Sequence, residues 1–161
     1  FKQARPRELL GRAAWIERQR GNHPRAIHLM ISVVTEHPDY YWAWQTLADW
    51  HEEAGDIDRA KEAAERMAAM NPSSPYPLGY LASLELRAGS RANAIAHLQR
   101  AIRIDPGYSY GTFTLVQLLC EDNRASEAEP LLALIRQQGG HGQALQAEVI
   151  VACARKDKNA A

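Results

Sequence analysis

Few residues in this chain could carry chemistry. Asp49, Glu52 and Glu53 place three carboxylates close together on one predicted helix. That is a pattern for acid–base or metal chemistry, and equally the pattern of an ordinary solvated helix face. The six histidines are His23, His28, His37, His51, His97 and His141, and none stands at zinc-like spacing from another His, Cys or carboxylate. His23 and His28 are five apart, so they fall on different helical faces. Cys120 and Cys153 are too few for a disulfide framework and read as free thiols of a reducing compartment, with the cytoplasm as the expected location. Nucleophile motifs and phosphate-cradling glycine loops are absent, and Gly139, Gly140 and Gly142 read as a turn between helices with no strand before it. The residues therefore predict no enzyme, no cofactor and no metal.

Composition narrows the class further. Hydrophobic residues make up 46% and charged residues 24% of 161, which suits a folded domain rather than a disordered one. Lys+Arg and Asp+Glu are 19 each, so no net charge draws the chain to nucleic acid or anionic lipid. No apolar run approaches the roughly 18 residues of a membrane span, and no signal segment opens the chain. It begins at Phe1 rather than Met, which leaves open that it is a piece of a longer protein. Charge is unevenly spread: residues 1–25 sum to +5 and residues 36–65 to −7. Such polarity reads as a screened surface, as steering of an oppositely charged partner, or as contact between two copies of the chain.

The elements that must position these residues follow a 34-residue period. Pro38, Pro72 and Pro106 share that interval, and the next step lands on Gly140. Gly21, Gly55, Gly89 and Asn123 form a second column, and Ala26, Ala60, Ala94 and Ala128 a third. Glycine or asparagine suits the left-handed conformation that ends a helix. Proline cannot continue a helix and punctuates the second one of each unit. The small alanine predicts close approach of two helices.

Between these marks the apolar residues keep helical spacing. Trp44, Leu47, Ala48 and His51 lie on one stripe; Ile57, Ala60, Ala64, Met67 and Ala68 on the facing one. Leu78, Leu81 and Ala82 with Ala94, Ile95, Leu98 and Ala101 repeat the pattern, as do Leu115, Val116 and Leu119 with Ala128, Leu132 and Ile135. Ser126 and Glu129 suggest a capping box for the last of these helices. No strand is expected.

The second unit reads Trp44-x2-Leu47-Ala48-x2-His51, then Ala60-x3-Ala64, then Pro72. This resembles the tetratricopeptide signature, W-x2-L-G-x2-Y, A-x3-F, P. The first unit resembles it through Ala26, Met30 and Pro38, the third through Leu81, Ala82, Ala94 and Pro106. His51 for Tyr, Ala64 for Phe and Gly140 for Pro are departures within the family's latitude. The resemblance implies an all-α solenoid of helical hairpins in a right-handed superhelix, with units 7–40, 41–74, 75–108 and 109–142. Residues 143–156 are expected as a capping helix, with Leu145, Val149, Ile150 and Cys153 inward and Gln146, Glu148 and Arg155 outward. Residues 1–6 and 157–161 are expected as flexible ends.

The resemblance also implies a function: binding a protein or peptide in a concave groove lined by the first helices. Groove places of the family map onto Trp15, Trp42, Gln45, Asp49, Tyr76, Tyr80, Tyr110, Phe113 and Gln117, with Tyr40 and Tyr108 at the edge. Trp42, Tyr76 and Tyr110 recur at the repeat interval. With first helices about 10 Å apart and a peptide rising about 3.3 Å per residue, such a ladder would meet every third residue. The competing reading packs these rings between neighbouring helices as core. Where the family's chaperone-tail clamp has Lys, Asn and Arg, this chain has Gly11, Trp15, Thr46, Tyr76 and Tyr80, so a chaperone-tail adaptor is not expected. The alternatives to a peptide binder are a spacer or self-association segment, or the substrate-binding arm of a fused enzyme.

Overall fold

A computed structural model describes residues 7–137 and 141–160 of the chain. The described residues form nine α-helices: α1 (Arg7–Gln19), α2 (His23–Glu36), α3 (Tyr41–Glu53), α4 (Ile57–Met70), α5 (Tyr76–Arg87), α6 (Arg91–Ile104), α7 (Ser109–Glu121), α8 (Ala125–Gln137) and α9 (His141–Ala160). No strand occurs among them. The chain divides into two compact units, Phe1–Asn71 and Pro72–Ala161.

Each hairpin turns where the glycine column predicts. Gly21, Gly55 and Gly89 have φ of 81°, 78° and 77°, and Asn123 takes the same left-handed region at 59°. All four turns close with the same pair of backbone bonds. Around Gly55, for example, its N–H donates to the Glu52 carbonyl and the Asp56 N–H to that of His51. These bonds satisfy carbonyls that a helix end would otherwise leave bare. The alanine column is fully buried, with Ala26, Ala60, Ala94 and Ala128 each at 0% exposure, as close helix contact requires.

In the first unit, α1–α2 and α3–α4 enclose Ala14, Met30, Val33, Ala43, Leu47, Ala48, Ala64 and Met67. Trp44 donates its indole N–H to the Pro38 carbonyl at 2.9 Å, pinning the turn that precedes α3. Asp56 caps α4 by accepting from the Arg59 N–H at 3.3 Å. His51 is buried on α3 with Nδ1 4.0 Å from an Asp56 carboxylate oxygen. Burial holds its pKa below the ordinary histidine value against the opposing pull of Asp56.

In the second unit, α5–α6 and α7–α8 enclose Leu81, Leu84, Leu98, Leu115, Val116, Leu119 and Ile135, and α9 packs on α7 and α8. Here the structure corrects four expectations. The capping helix starts earlier and ends later than 143–156, continuing through 157–160; neither Gly nor Pro stands in 154–160 to break it. Its buried face is Ala144, Ala147 and Val151, while Leu145 and Val149 are 64% and 60% exposed and Cys153 is exposed. Small residues let α9 lie close to its neighbours, which turns the larger ones outward. Ser126 and Glu129 form no capping box: Ser126 lies inside α8, Glu127 pairs with Arg124, and Glu129 pairs with Arg155 at 2.9 Å. Gly142, expected in the turn with Gly139 and Gly140, lies instead inside α9. Gly139 and Gly140 and the expected flexible ends at 1–6 and at Ala161 lie outside the described residues.

Candidate functional site

The aromatic residues singled out by the repeat interval are mostly on the surface. Tyr76 is 68% exposed, Trp15 51%, Tyr110 50% and Trp42 39%. The reading in which all these rings are core therefore does not hold. Tyr80, Phe113 and Gln117 are half-buried, and Phe113 packs against the hydrophobic core of the second unit. Gln45 and Asp49 are exposed along α3.

In the second unit the structure gathers three rings. Tyr76 opens α5, and Tyr108 and Tyr110 flank the first residue of α7. Tyr108 stands between the other two, edge-on to Tyr76 with ring centroids 5.4 Å apart and tilted against Tyr110 at 5.9 Å. Such geometries let a ring edge meet a ring face, the favoured contact between quadrupoles. Two glycines make room for the middle ring. A Cβ on Gly79 would overlap the Tyr108 hydroxyl, and one on Gly111 would stand 2.5 Å from its Cδ1. Both glycines are buried within helices, where glycine costs about 1 kcal/mol against alanine. Burial, then the Tyr110 and Tyr76 phenols, push the Tyr108 hydroxyl up to about 12, so it stays protonated and can donate a hydrogen bond.

Tyr108 was placed at the groove edge by its position in the repeat, yet it is the centre of the cluster. The signal that could have found it is the glycine pair: helix-interior glycines without a turn to make mark close approach by something large.

The first unit builds a related pair. Trp42 lies 5.6 Å from Tyr40, centroid to centroid, and a Cβ on Gly11 would stand 2.8 Å from Trp42 Cζ3. Here a cation intervenes: the Arg7 guanidinium sits 4.8 Å from the Tyr40 ring centroid and 3.6 Å from Asp39. Trp15 lies on α1, and Arg18 of the same helix covers the Trp50 ring at 5.5 Å and pairs with Glu53. Desolvation, then Glu52 and Glu53, raise the Asp49 carboxyl above its ordinary value. Among the described residues no group of three His, Cys, Asp or Glu is arranged to hold a metal ion. No described helix is long and apolar enough to cross a membrane.

Known proteins place this architecture. Among solved structures, a tetratricopeptide repeat protein from Parabacteroides merdae superposes with a TM-score of 0.78 at 15% identity, over 95% of this chain and 61% of that one. MamA superposes at 0.68 with 17% identity, covering 93% of this chain and 86% of the other. YrrB, described as a TPR protein with an unusual peptide-binding site, does so at 0.68 with 15% identity, covering 91% and 76%. At such identities the likeness speaks for the fold alone. A search of curated proteins found no match to the sequence. The profile of the tetratricopeptide repeat family matches residues 17–84 and again 85–149, most of the chain, and with the hairpins, turns and alanine column described above it makes this chain a member of the tetratricopeptide repeat family.

Proposed function

We propose that the chain is a protein–protein interaction module that binds an extended peptide on its exposed aromatic surface. In this reading the first helices of repeats 7–40 and 41–74 offer a partner Trp15, Trp42, Gln45 and Asp49. Those of repeats 75–108 and 109–142 offer Tyr76, Tyr80, Tyr110, Phe113 and Gln117. One observation carries it: Tyr76 and Tyr110 remain at least half exposed although a third ring, Tyr108, is packed between them. Exposed tyrosine brings contact area at small entropic cost, which is why it is favoured where proteins meet. The description of YrrB as a peptide binder on the same fold is consistent with this role.

A displayed library of random peptides tests the reading. Clones selected on the whole chain should lose binding to Tyr76→Ala/Tyr110→Ala, with the helical circular dichroism of that variant unchanged. Selected clones that bind both proteins equally would remove the tyrosines from the function.

A specific feature favours a second reading, self-association. Leu145, Val149 and Cys153 form an exposed stripe at intervals of four on α9. In the three preceding units the residues one, two and three repeats before Val149 (Leu115, Leu81 and Leu47) are all buried. Sedimentation equilibrium of the chain and of Val149→Glu distinguishes the cases: a dimer dissociated by the substitution supports this reading, and a monomer at high concentration ends it.

A further inference from the structure

We infer that the Tyr76–Tyr108–Tyr110 surface takes an uncharged, proline-containing segment in the polyproline II conformation. This rests on the peptide-binding reading above and names the chemical class of the peptide.

The first argument is spacing. Ring steps of 5.4 and 5.9 Å keep Tyr76 and Tyr110 within about 11 Å of one another. A polyproline II helix has three residues per turn at about 3.1 Å each, so prolines three apart repeat every ~9 Å along one face. That repeat falls within the bound, so the proposal places one such proline on each exposed ring.

The second argument is charge. Neither 72–84 nor 106–120, the stretches that carry the three tyrosines, contains a charged residue. A charged ligand group desolvated against these stretches would find no counter-ion within them, at a large cost. The related pair in the first unit differs on this point, with Arg7 over Tyr40 and Asp39 beside it.

The third argument concerns the ligand backbone. A β-strand ligand needs a free sheet edge to pair with, and the described residues contain no strand. A polyproline II segment makes no internal hydrogen bonds, so its carbonyls are free to accept from hydroxyls. The exposed Tyr76 and Tyr110 supply such donors next to apolar ring faces. Tyr108 is already clamped by Gly79 and Gly111, and a stiff ligand loses little entropy on meeting a pre-packed surface.

The test uses the whole chain and an end-blocked decapeptide with proline at every third position and alanine or glutamine between. A control peptide replaces each proline by leucine. Calorimetric titration should show binding of the proline peptide, weakened about tenfold or more in Tyr76→Ala/Tyr110→Ala, as expected for the loss of two ring contacts. Tyr76→Phe/Tyr110→Phe should bind better than the double alanine variant, because the ring faces remain. Absence of binding by the proline peptide, or binding unaffected by the double alanine variant, overturns the inference. The displayed library separates the two failures. Tyrosine-dependent clones without spaced proline would leave the peptide-binding reading standing and overturn this one, whereas selected clones with no tyrosine dependence would remove both.

Discussion

Sixty-eight residues separate Gly11 from Gly79, Tyr40 from Tyr108, and Trp42 from Tyr110. In each unit a helix-interior glycine faces an aromatic ring from the start of the second hairpin, and a second ring lies within 6 Å of the first. The surfaces that result are different. At the place of Arg7, which covers Tyr40, the second unit has Pro75; at the place of Glu8 it has Tyr76. The first unit therefore ends with a ring pair of which Tyr40 lies under a guanidinium, and the second with three rings and no charge on the stretches that carry them. The shared interval sets where a ring stands. Its neighbours one repeat earlier decide whether a partner can reach it.

The alanine column gives the strongest test of how far the two units are alike. Ala60→Leu in the first and Ala94→Leu in the second should each lower stability by about 1–3 kcal/mol, because both residues are fully buried and the added volume has nowhere to go. Urea denaturation measures the loss, and hydrogen exchange resolved by helix locates it. A loss in one unit alone would break the equivalence at its core.

The glycines sharpen the contrast at the surface. Gly79→Ala forces Tyr108 away from a position fixed by Gly111, Tyr76 and Tyr110, and should cost about 1–2 kcal/mol. Gly11→Ala meets the outer edge of a partly exposed Trp42 ring that can swing aside, and alanine is the better helix former. It should lie within about 0.5 kcal/mol of the unsubstituted chain in the same denaturation experiment. Equal losses would mean that Trp42 is held as firmly as Tyr108.

A smaller difference depends on pH. His51 in the first unit corresponds to Leu119 in the second. Burial lowers the His51 pKa; Asp56 and Glu62 oppose the shift, and Arg59 adds to it. Above its ordinary value of 6.5 the histidine is neutral whether folded or unfolded and contributes no pH dependence. As pH falls below that value the unfolded chain takes the proton first, so stability of the first unit declines until the folded histidine protonates too. Hydrogen exchange in α3 and α4 should accelerate between pH 7 and 5.5 beyond the intrinsic pH effect, and α7 should show no such excess. His51→Leu should remove the difference. Asp49, whose pKa is raised, acts in the opposite sense as it protonates, and the comparison with His51→Leu excludes its contribution.

Hairpin turns were the most legible feature, because left-handed backbone restricts residue choice locally: Gly21, Gly55, Gly89 and Asn123 turn where the period says. The buried alanines were legible for a similar reason, since a close helix contact tolerates little else. The face of α9 was not. Leu145, Val149 and Cys153 and the buried Ala144, Ala147 and Val151 both follow helical spacing, and hydrophobicity alone favours the larger set. Nor was the role of Tyr108 legible, since position in the repeat treats it as an edge residue and only the clearance at Gly79 and Gly111 shows a ring lodged between them.

From the sequence alone come the all-helical class, the 34-residue unit, the family, and the places where large rings recur. These depend on short-range constraints: helical periodicity, backbone conformation at a turn, and the missing N–H of proline. Tertiary structure decided which of two apolar faces α9 buries, that Ser126 and Glu129 do not cap α8, and that Tyr76 and Tyr110 stand open around a packed Tyr108. Each of those outcomes depends on what lies across a contact from residues distant in the chain, and the free energy of burying a side chain is set by the surface it meets, not by the side chain itself.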